Sequence, residues 1–546
     1  MLRSIQLENF KAFGQRTLVP LAPITLVFGQ NSAGKSSILQ SLNLLKQTRE
    51  SRDVEALLLP RTENGFADLG SFQDMLFDHE LSRTLSLRID LPLNSGRRDF
   101  VPGPRFLRRV SAIGLEFSFS RKTVKDEITL EGFKLCGQDP SSFVAQFEKC
   151  DLPRDFRRYG PVSFRSERRR NSSSLRGAKC VRVRDEPDFW EYQFDWTYRE
   201  RGLLIAKLQE ARNNIAHPET TPVKGLFDDE DETGESKARL LLKLEETIQF
   251  LSSEFNYAAF VEWMVQEQAG TVVALDGFIP VLSASAEGEP GLDTILNRSL
   301  NRSPMRRDWT ADIGLASVFA GRMLEQALGS LFPLGPFRKP PSRWYIFTGT
   351  TPQDVGYQGH LLPDLLFRQP ELLANTNEWL HRLDIGYEIT IRPLGDESKD
   401  LFEFRLQDRR RTPPVEVGLS DVGFGISQIL PLVVQSLAAT DQVISVEQPE
   451  VHIHPRLQAD LGDLLIEAIK DPRRNQFIIE THSEHLALRL QRRVREKLLS
   501  PKDISVVYVS RGPNGATARP LRLDEDGDFI DDFPGGFFPE RLRELR

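Results

Sequence analysis

The feature that most constrains this chain is a glycine-rich segment at residues 28–37, Phe-Gly-Gln-Asn-Ser-Ala-Gly-Lys-Ser-Ser. It matches the phosphate-binding pattern G-x-x-x-x-G-K-[ST]. The preceding run, residues 24–28, is apolar and β-branched, which predicts a buried strand, and residues 38–45 carry apolar side chains mostly at helical spacing. The order strand, glycine loop, helix is the context in which this pattern binds phosphate. The sequence therefore predicts that the chain binds ATP or GTP.

The residue types in this loop fit phosphate chemistry. Glycine at positions 29 and 34 permits backbone angles that turn successive N–H groups toward a phosphate, and the following helix adds the positive end of its dipole. Lys35 is expected to reach the β- and γ-phosphates, and the Ser36 hydroxyl to take one Mg²⁺ position. The predicted phosphate-binding residues are Gly29, Asn31, Ser32, Gly34, Lys35, Ser36 and Ser37.

Composition limits the class of protein. The 546 residues suffice for two or three domain-sized units, and a net charge of −7 means that any nucleic-acid site must be a local patch. Three widely spaced cysteines argue against a disulfide framework or a zinc site and suit a reducing cytoplasm. The N-terminus lacks a signal-peptide core, and no apolar run approaches the roughly 20 residues of a membrane helix. We expect a soluble cytoplasmic protein with no membrane partner.

The middle of the chain has a different pattern. Residues 85–91, 114–119 and 127–133 alternate and predict exposed antiparallel strands, and residues 200–265 turn helical, as in a compact insertion that links or pairs subunits. Arginine groups interleaved with aromatic residues fall at 97–109 and 154–170. They could grip a nucleic-acid backbone, or they could form a solvated surface balanced by the acidic run at 228–232. The sequence leaves both readings open and leans toward the solvated surface.

Three C-terminal segments complete the nucleotide site. Residues 443–447 are a β-branched run that ends in Glu447, the pattern of a buried strand that delivers an acid to Mg²⁺. Residues 419–428 form a Ser/Gly loop leading into an apolar helix, and residues 476–482 form a strand that ends in a histidine. Near the N-terminus, Gln73 is a candidate to touch the metal or the attacking water, although a solvated turn residue is the plainer reading.

With these motifs in this order, the sequence resembles the ABC-type ATPases of the SMC- and OLD-like group, often filed as AAA-type ATPases in bacterial genomes. The resemblance covers about residues 1–80 and 335–546. It implies an α/β fold, an ABC-type P-loop ATPase head of a mixed sheet with flanking helices, carrying an inserted α+β and helical region. The expected domains are 1–84 (the P-loop part of the head), 85–334 (the insertion) and 335–546 (the remainder of the head with a C-terminal extension).

The resemblance also assigns residues. Ser420, Gly423 and Gly425 stand where the signature loop binds the γ-phosphate of ATP held by a partner subunit, and Ser420 can cap the following helix. The resemblance places Glu447 at the Walker B acid that holds Mg²⁺ with Ser36. It places His454 and Pro455 in the D-loop region, and His482 at the switch histidine. ATP and Mg²⁺ are the implied cofactors, and the signature loop implies a head-to-tail dimer closed on ATP.

One position departs from the family pattern. The residue after the Walker B acid is usually a glutamate that acts as general base, and here it is Gln448. An amide can orient water but cannot accept its proton near neutral pH. Either hydrolysis is slow, or another acid such as Glu450 or Glu480 substitutes; we predict slow hydrolysis.

Several functions remain in competition. The first is an ATP-driven dimerising switch that acts with an effector such as a nuclease, in bacterial antiphage defence or DNA maintenance. The second is an OLD-type ATP-dependent nuclease, which needs a Toprim domain of roughly a hundred residues after the ATPase; the cluster at 524–528 is a poor substitute and reads as a loop. The third is an ABC transporter ATPase. A zinc site among His452, His454, His482 and His485 is a further alternative, which the phosphate-sensing role of His482 outweighs.

Overall fold

The computed structural model describes most of the chain. The described residues are 1–51, 56–62, 65–93, 111–122, 127–137, 144–150, 176–183, 272–276, 278–284, 313–347, 349–394 and 400–534, with scattered helical positions between 202 and 252. The predicted arginine groups at 97–109 and 154–170, the acidic run at 228–232 and the end of the C-terminal tail lie outside these residues.

The described elements alternate between α and β structure. The strands are β1 (Ser4–Glu8), β2 (Thr17–Pro20), β3 (Ile24–Gly29), β4 (Leu85–Pro92), β5 (Ala112–Lys122), β6 (Glu127–Cys136), β7 (Ala145–Cys150), β8 (Arg176–Val183), β9 (Val272–Asp276), β10 (Ile279–Ala284), β11 (Leu331–Leu334), β12 (Tyr345–Ile346), β13 (Tyr387–Pro393), β14 (Leu401–Asp408), β15 (Val415–Gly418), β16 (Val443–Glu447), β17 (Gln476–Glu480), β18 (Ile504–Gly512) and β19 (Gly515–Leu521). The helices are α1 (Lys35–Glu50), α2 (Phe72–Met75), α3 (Ile313–Ser330), α4 (Leu362–Arg368), α5 (Pro370–Arg382), α6 (Phe424–Ala438), α7 (Pro455–Ile469) and α8 (Glu484–Arg495).

A six-stranded sheet in the order β11-β16-β17-β3-β18-β19 forms the centre of the molecule. Its first five strands are parallel and β19 runs antiparallel to β18. The strand β3 is buried on both faces, as its apolar run predicts: Val27 packs into one hydrophobic cluster, and Leu26 and Phe28 pack into a second. The predicted α/β fold, a mixed sheet with flanking helices, is confirmed.

A nine-stranded antiparallel sheet, in the order β10-β9-β8-β7-β6-β5-β4-β1-β2, stands beside this centre. The strands from residue 85 onward therefore continue a sheet that β1 and β2 begin, with β4 paired to β1. The helix α3 packs against β10 and β5 of this sheet and against α1. After α3 the chain enters the six-stranded sheet at residues 331–334, just before the start of the predicted third domain.

The prediction that residues 85–91 form an exposed strand is wrong in its exposure. The alternation is real, but all residues from Leu85 to Leu91 are buried, because β4 lies between β1 and β5 in the interior of the sheet. Its polar side chains are satisfied internally: Arg88 Nε donates to Asp90 Oδ1 at 2.8 Å, and Ser4 Oγ donates to Asp90 Oδ2 at 2.6 Å. An alternating pattern of apolar and polar residues thus predicts a strand with two different faces, but it does not predict that either face is exposed to solvent.

A third, smaller sheet in the order β12-β14-β13, with β15 also on β14, packs near α4 and α5. The strand β15 leads directly into the turn Leu419–Asp421 and then into α6. In the region from 202 to 252 the described positions are helical, and Leu208 and Leu244 are buried. Among the helices that the structure describes, none combines the length and the apolar character needed to cross a bilayer.

Candidate functional site

The glycine-rich segment forms a tight loop between the end of β3 and the start of α1. Gly29 and Gly34 have φ angles of 147° and 109°, in the range that favours glycine. A Cβ at Gly29 would lie 2.1 Å from the Val509 carbonyl oxygen, and one at Gly34 would lie 2.7 Å from the Ala12 Cβ. The loop therefore needs glycine at both positions, for its backbone angles and for the close approach of its neighbours.

Lys35 is the first residue of α1, and its side chain folds back over the loop. Its Nζ donates to the Gln30 carbonyl at 2.9 Å and lies 3.9 Å from Oε1 of Glu480. The residue is 4% exposed, and burial lowers the pKa of Lys35 while Glu480 and Glu450 act against that shift. The ammonium group is thus held, largely desolvated, beside the N-terminus of a helix, where anions are stabilised.

A cavity of about 580 Å³ opens on this loop. Its lining residues are Lys11, Ala12, Asn31, Ser32, Gly34, Lys35, Ser36, Ser37, Gln40, Gln448 and Glu480. Six of the seven predicted phosphate-binding residues therefore line one cavity. The seventh, Gly29, is not a lining residue. The volume is ordinary for a small-molecule site.

Two carboxylates meet at the carboxyl edge of the six-stranded sheet beside this cavity. Glu447 ends β16 and Glu480 ends β17, and the two residues are paired in register. Burial raises the pKa of Glu447 to about 7, Glu480 raises it as well, and Arg338 acts in the opposite direction. Glu480 is 3% exposed, and its Oε2 has no hydrogen-bond partner among the described residues.

These carboxylates fit a divalent cation. A buried carboxylate oxygen without a partner is costly, and oxygen ligands from carboxylates and hydroxyls are those that Mg²⁺ prefers. Glu447, Glu480 and the Ser36 hydroxyl, which lines the same cavity, are the residues that would hold it. Ser36 and Glu480 line the cavity, and Glu447 is paired in register with Glu480; the metal-binding role of Ser36 and Glu447 stays a prediction.

Gln448 and Glu450 lie on the turn after β16. Gln448 lines the cavity with a φ of 44°, and its backbone N–H donates to the Glu480 carbonyl at 2.8 Å. The Glu450 carboxylate accepts hydrogen bonds from Thr481 Oγ1, at 2.8 Å, and from the backbone N–H of His482. Burial raises the pKa of Glu450, and these hydrogen bonds oppose the rise. Both carboxylate oxygens of Glu450 are thus engaged in fixing the loop that carries His482.

His482 follows β17 with its side chain accessible to solvent. Partial desolvation and then the charge of Lys35 lower the pKa of His482, so the imidazole is neutral at pH 7. A neutral ring can donate one hydrogen bond, which suits contact with a phosphate oxygen. The role of His482 as a phosphate sensor stays a prediction, with a position beside Lys35 that supports it.

Gln73 does not join this group. It lies in the short helix α2 with an exposed side chain, and its Nε2 donates to the His79 carbonyl at 3.1 Å. Because its amide is engaged in this local contact and it is not a lining residue of the cavity, the structure gives no support to a metal-binding role for Gln73.

Four cavity residues have no place among the predicted site residues: Lys11, Ala12, Gln40 and Glu480. Gln40 lies four positions after Ser36 on α1, so helical spacing alone would have placed both on one face. From the sequence, Glu480 was considered only as a substitute general base. Its pairing with Glu447 depends on the order of strands in the sheet, which the sequence pattern does not give. Lys11 follows β1 and reaches the cavity only through the tertiary fold, and burial lowers its pKa.

The signature segment lies outside the cavity of its own chain. Ser420 and Gly423 are exposed, and neither they nor Gly425 are lining residues. The predicted helix cap is wrong: Ser420 lies in the turn before α6, whose N-cap is Gly423, without a side-chain hydrogen bond. At Gly425 a Cβ would lie 2.8 Å from the His452 carbonyl oxygen, so the start of α6 packs closely on the turn after β16.

The alternative metal and nuclease sites find no support in the described part of the chain. There, no group of three or more His, Cys, Asp or Glu side chains is arranged to hold a metal ion. His454 instead caps α7, accepting from the Arg456 N–H at 3.3 Å. The acidic cluster at 524–528 is a local turn, closed by a hydrogen bond from the Asp524 N–H to the Asp528 carbonyl at 2.9 Å.

Comparison with known proteins places these motifs in context. Residues 1–96 and 376–487 match the AAA ATPase domain family. Over 111 residues the chain is 33% identical to the DNA replication and repair protein RecF of Cyanothece sp., a match that covers 20% of this chain and 27% of that protein. The matched family segments contain the P-loop, the signature segment, Glu447 and His482. The predicted resemblance to an SMC- and ABC-like ATPase is therefore confirmed.

Solved SMC head domains are also similar. The Smc head domain with an extended coiled coil bound to the C-terminal domain of ScpA, from Pyrococcus furiosus, is 12% identical over 95% of this chain and 96% of that one, with a TM-score of 0.36. The SMC head domain from Thermotoga maritima is 11% identical over 96% of this chain and 99% of that one, with a TM-score of 0.34.

Proposed function

We propose that this chain binds ATP with Mg²⁺ and hydrolyses it slowly, as an SMC- and ABC-like ATPase. The observation that carries the proposal is that Lys35 and Glu480, 3.9 Å apart, line a cavity formed by the P-loop, with Glu447 paired in register beside Glu480. The Oε2 of Glu480, which has no hydrogen-bond partner among the described residues, supports a cation in this place, and the loop N–H groups and Lys35 support the phosphates beside it. The match to the AAA ATPase domain supports the same reading.

Different residues would bind the phosphates, hold the cation and orient the attacking water in phosphoryl transfer. The P-loop backbone and Lys35 hold the phosphates, while Ser36, Glu447 and Glu480 hold the cation, which when bound neutralises charge on the phosphate oxygens. The Gln448 amide lines the cavity and can orient a water molecule, but it cannot take its proton. Glu450 is occupied by Thr481 and His482, which makes it a poor substitute base. Turnover then depends on positioning and electrostatics alone, and slow hydrolysis follows.

We further propose that two copies close on ATP, each covering the nucleotide of the other with its signature segment. The exposed position of Ser420 and Gly423, outside the cavity of their own chain, supports a partner's nucleotide as their ligand. The N-terminus of α6 has no side-chain cap, and the positive end of its helix dipole favours phosphate oxygens. The packing of Gly425 on the turn after β16 would link this contact to Glu447.

The biological role we propose is a regulatory switch in the bacterial cytoplasm. The dimer would act with an effector protein such as a nuclease, in antiphage defence or DNA maintenance. The partial match to a protein named for DNA replication and repair supports a DNA-related setting. None of the described cysteines forms a disulfide, and burial raises the pKa of Cys136 to about 12, which suits a reducing compartment.

The test is the molecular mass of the full chain in solution, measured by light scattering without nucleotide, with Mg²⁺ and ADP, and with Mg²⁺ and ATP. We expect a doubling of mass with ATP only. Lys35→Ala should abolish both nucleotide binding and the doubling. Ser420→Glu should abolish the doubling and keep ATP binding, because a carboxylate there repels the partner's γ-phosphate. The matched control is Ser82→Glu, at an exposed serine outside the signature segment.

Two results would contradict the proposal. An absence of ATP binding by the unmodified chain would remove the ATPase reading itself. If the mass of Ser420→Glu still doubled normally with ATP, the proposal of ATP binding would stand, but the signature segment would not be part of the dimer interface.

A further inference from the structure

Arg338 is a buried cation at the nucleotide edge of the central sheet to which no role has yet been given. It lies four residues after β11, which runs parallel to β16 with Leu334 paired to Val446. The segment 335–338 therefore leaves the sheet at the same edge as Glu447. Along this edge the charged side chains follow the strand order, with Arg338 first, then Glu447 and Glu480, and the P-loop lysine last.

Two of the three guanidinium nitrogens of Arg338 lack a hydrogen-bond partner among the described residues. The residue is 9% exposed, and its Nε and Nη1 are buried without a hydrogen-bond acceptor among the residues that the structure describes. Burial lowers the pKa of Arg338 to about 10, against the opposing effects of Tyr357 and Glu447. Glu447 is thus close enough to act through its charge, yet it accepts no hydrogen bond from either nitrogen. A buried, unsatisfied charged group destabilises a folded protein, so its presence points to a ligand.

The backbone around Arg338 is built to hold it in place. The Gly335 N–H donates to the Tyr357 carbonyl at 3.0 Å, and the Lys339 N–H donates to the Gln358 carbonyl at 2.9 Å. A Cβ at Gly335 would lie 2.6 Å from the Tyr357 ring, so a larger residue here would displace that ring. The side chain therefore enters the interior from a fixed frame.

The same frame is anchored to the signature helix. The Val355 N–H donates to Oε1 of the buried Gln435 on α6 at 3.1 Å. Gly359, whose added Cβ would lie 2.6 Å from Pro431 on α6, also borders the Cδ of Arg338. Arg338 thus sits between the Walker B acid and the helix that follows the signature segment.

We propose that Arg338 binds the terminal phosphate of the nucleoside triphosphate and so distinguishes ATP from ADP. The inference rests on the proposed function, because it requires a nucleotide in the cavity at Lys35. The three acids Glu447, Glu450 and Glu480 already crowd this edge, so an added anion needs a cation on its far side. Arg338 supplies a cation whose charge acts on Glu447, and its Nε and Nη1, which lack an acceptor among the described residues, can each donate to a phosphate oxygen.

The test measures the affinities of two Mg²⁺-bound probes, AMP-PNP and ADP, for the full chain and for Arg338→Met. Methionine keeps much of the apolar stem and removes the guanidinium. We expect the affinity for AMP-PNP to fall about ten- to a hundredfold, the range for a charge-assisted hydrogen bond, with ADP affinity unchanged. Arg338→Lys should recover part of the loss. The control Arg409→Gln, at an exposed arginine paired with Glu388, should bind both probes normally.

A second measurement separates ligand binding from a structural role. Without nucleotide, Arg338→Met should melt at the same temperature as the unmodified chain or above it, since the variant removes an unpaired buried charge. Equal loss of affinity for AMP-PNP and ADP, unchanged affinity for both, or a lower melting temperature in the nucleotide-free variant would each overturn the inference. If the unmodified chain binds neither probe, it is the proposed function that fails.

Discussion

Glu447 couples the protonation of the nucleotide site to the stability of the fold. Its pKa is raised to about 7, from an ordinary value of 4.5, by burial and by Glu480. A carboxyl group with a raised pKa binds more protons in the folded chain than in the unfolded chain. The folded state therefore loses stability as the pH rises from about 4.5 to above 7.

The size of this effect follows from the shift. Each pKa unit corresponds to about 1.4 kcal/mol, so ionising Glu447 in the folded state costs about 3 kcal/mol at pH 8. Glu447→Gln keeps the shape of the side chain and removes the titration. Without Mg²⁺ and nucleotide, we expect the variant to be more stable than the unmodified chain by up to about 3 kcal/mol at pH 8 and nearly equal at pH 5.

The assay is thermal unfolding in EDTA between pH 5 and pH 8. For a chain of this length 1 kcal/mol corresponds to roughly 1 °C, so the gap in melting temperature should grow to about 3 °C at pH 8. Glu378→Gln, at an exposed glutamate on α5, is the matched control and should show no such growth. A gap that is independent of pH, or a variant that melts lower at pH 8, would refute the assignment of the raised pKa to Glu447.

Two further predictions concern the cavity itself. Gln448→Glu places a carboxylate where the amide lines the cavity, and single-turnover ATP hydrolysis should become at least about a hundredfold faster, as general-base catalysis allows; an unchanged rate would mean that positioning alone limits the reaction. Gly29→Ala forces a Cβ to within 2.1 Å of the Val509 carbonyl oxygen at a φ of 147°, so it should abolish ATP binding in a calorimetric titration. In Gly423→Ala, no described atom lies within 4 Å of the added Cβ, so the affinity of the single chain for ATP should be unchanged.

Local patterns were enough to predict the parts of the site that lie along one stretch of chain. The P-loop depends on the spacing of Gly29, Gly34 and Lys35 and on a strand before and a helix after, all within about 20 residues, and the structure brings six of its seven predicted residues to one cavity. The acid Glu447 was predicted in the same way, because it ends an apolar strand. Gln73 and the capping role of Ser420 failed, because several arrangements of a short polar segment satisfy the same local pattern.

The sequence by itself determined that this chain has a phosphate-binding loop, an acid at the end of a strand and a histidine just after another strand. Each of these features is a pattern of consecutive residues. Only the tertiary structure decided that Glu480 joins Glu447, that β4 is buried, and that Arg338 reaches the same edge with two nitrogens that lack an acceptor among the described residues. Those facts follow from the order of strands in the sheets, which brings together segments that are not neighbours along the chain. The burial and charge environment of such residues depends on neighbours from distant parts of the sequence. A local sequence pattern does not identify those neighbours, so these features could be found only in the tertiary structure.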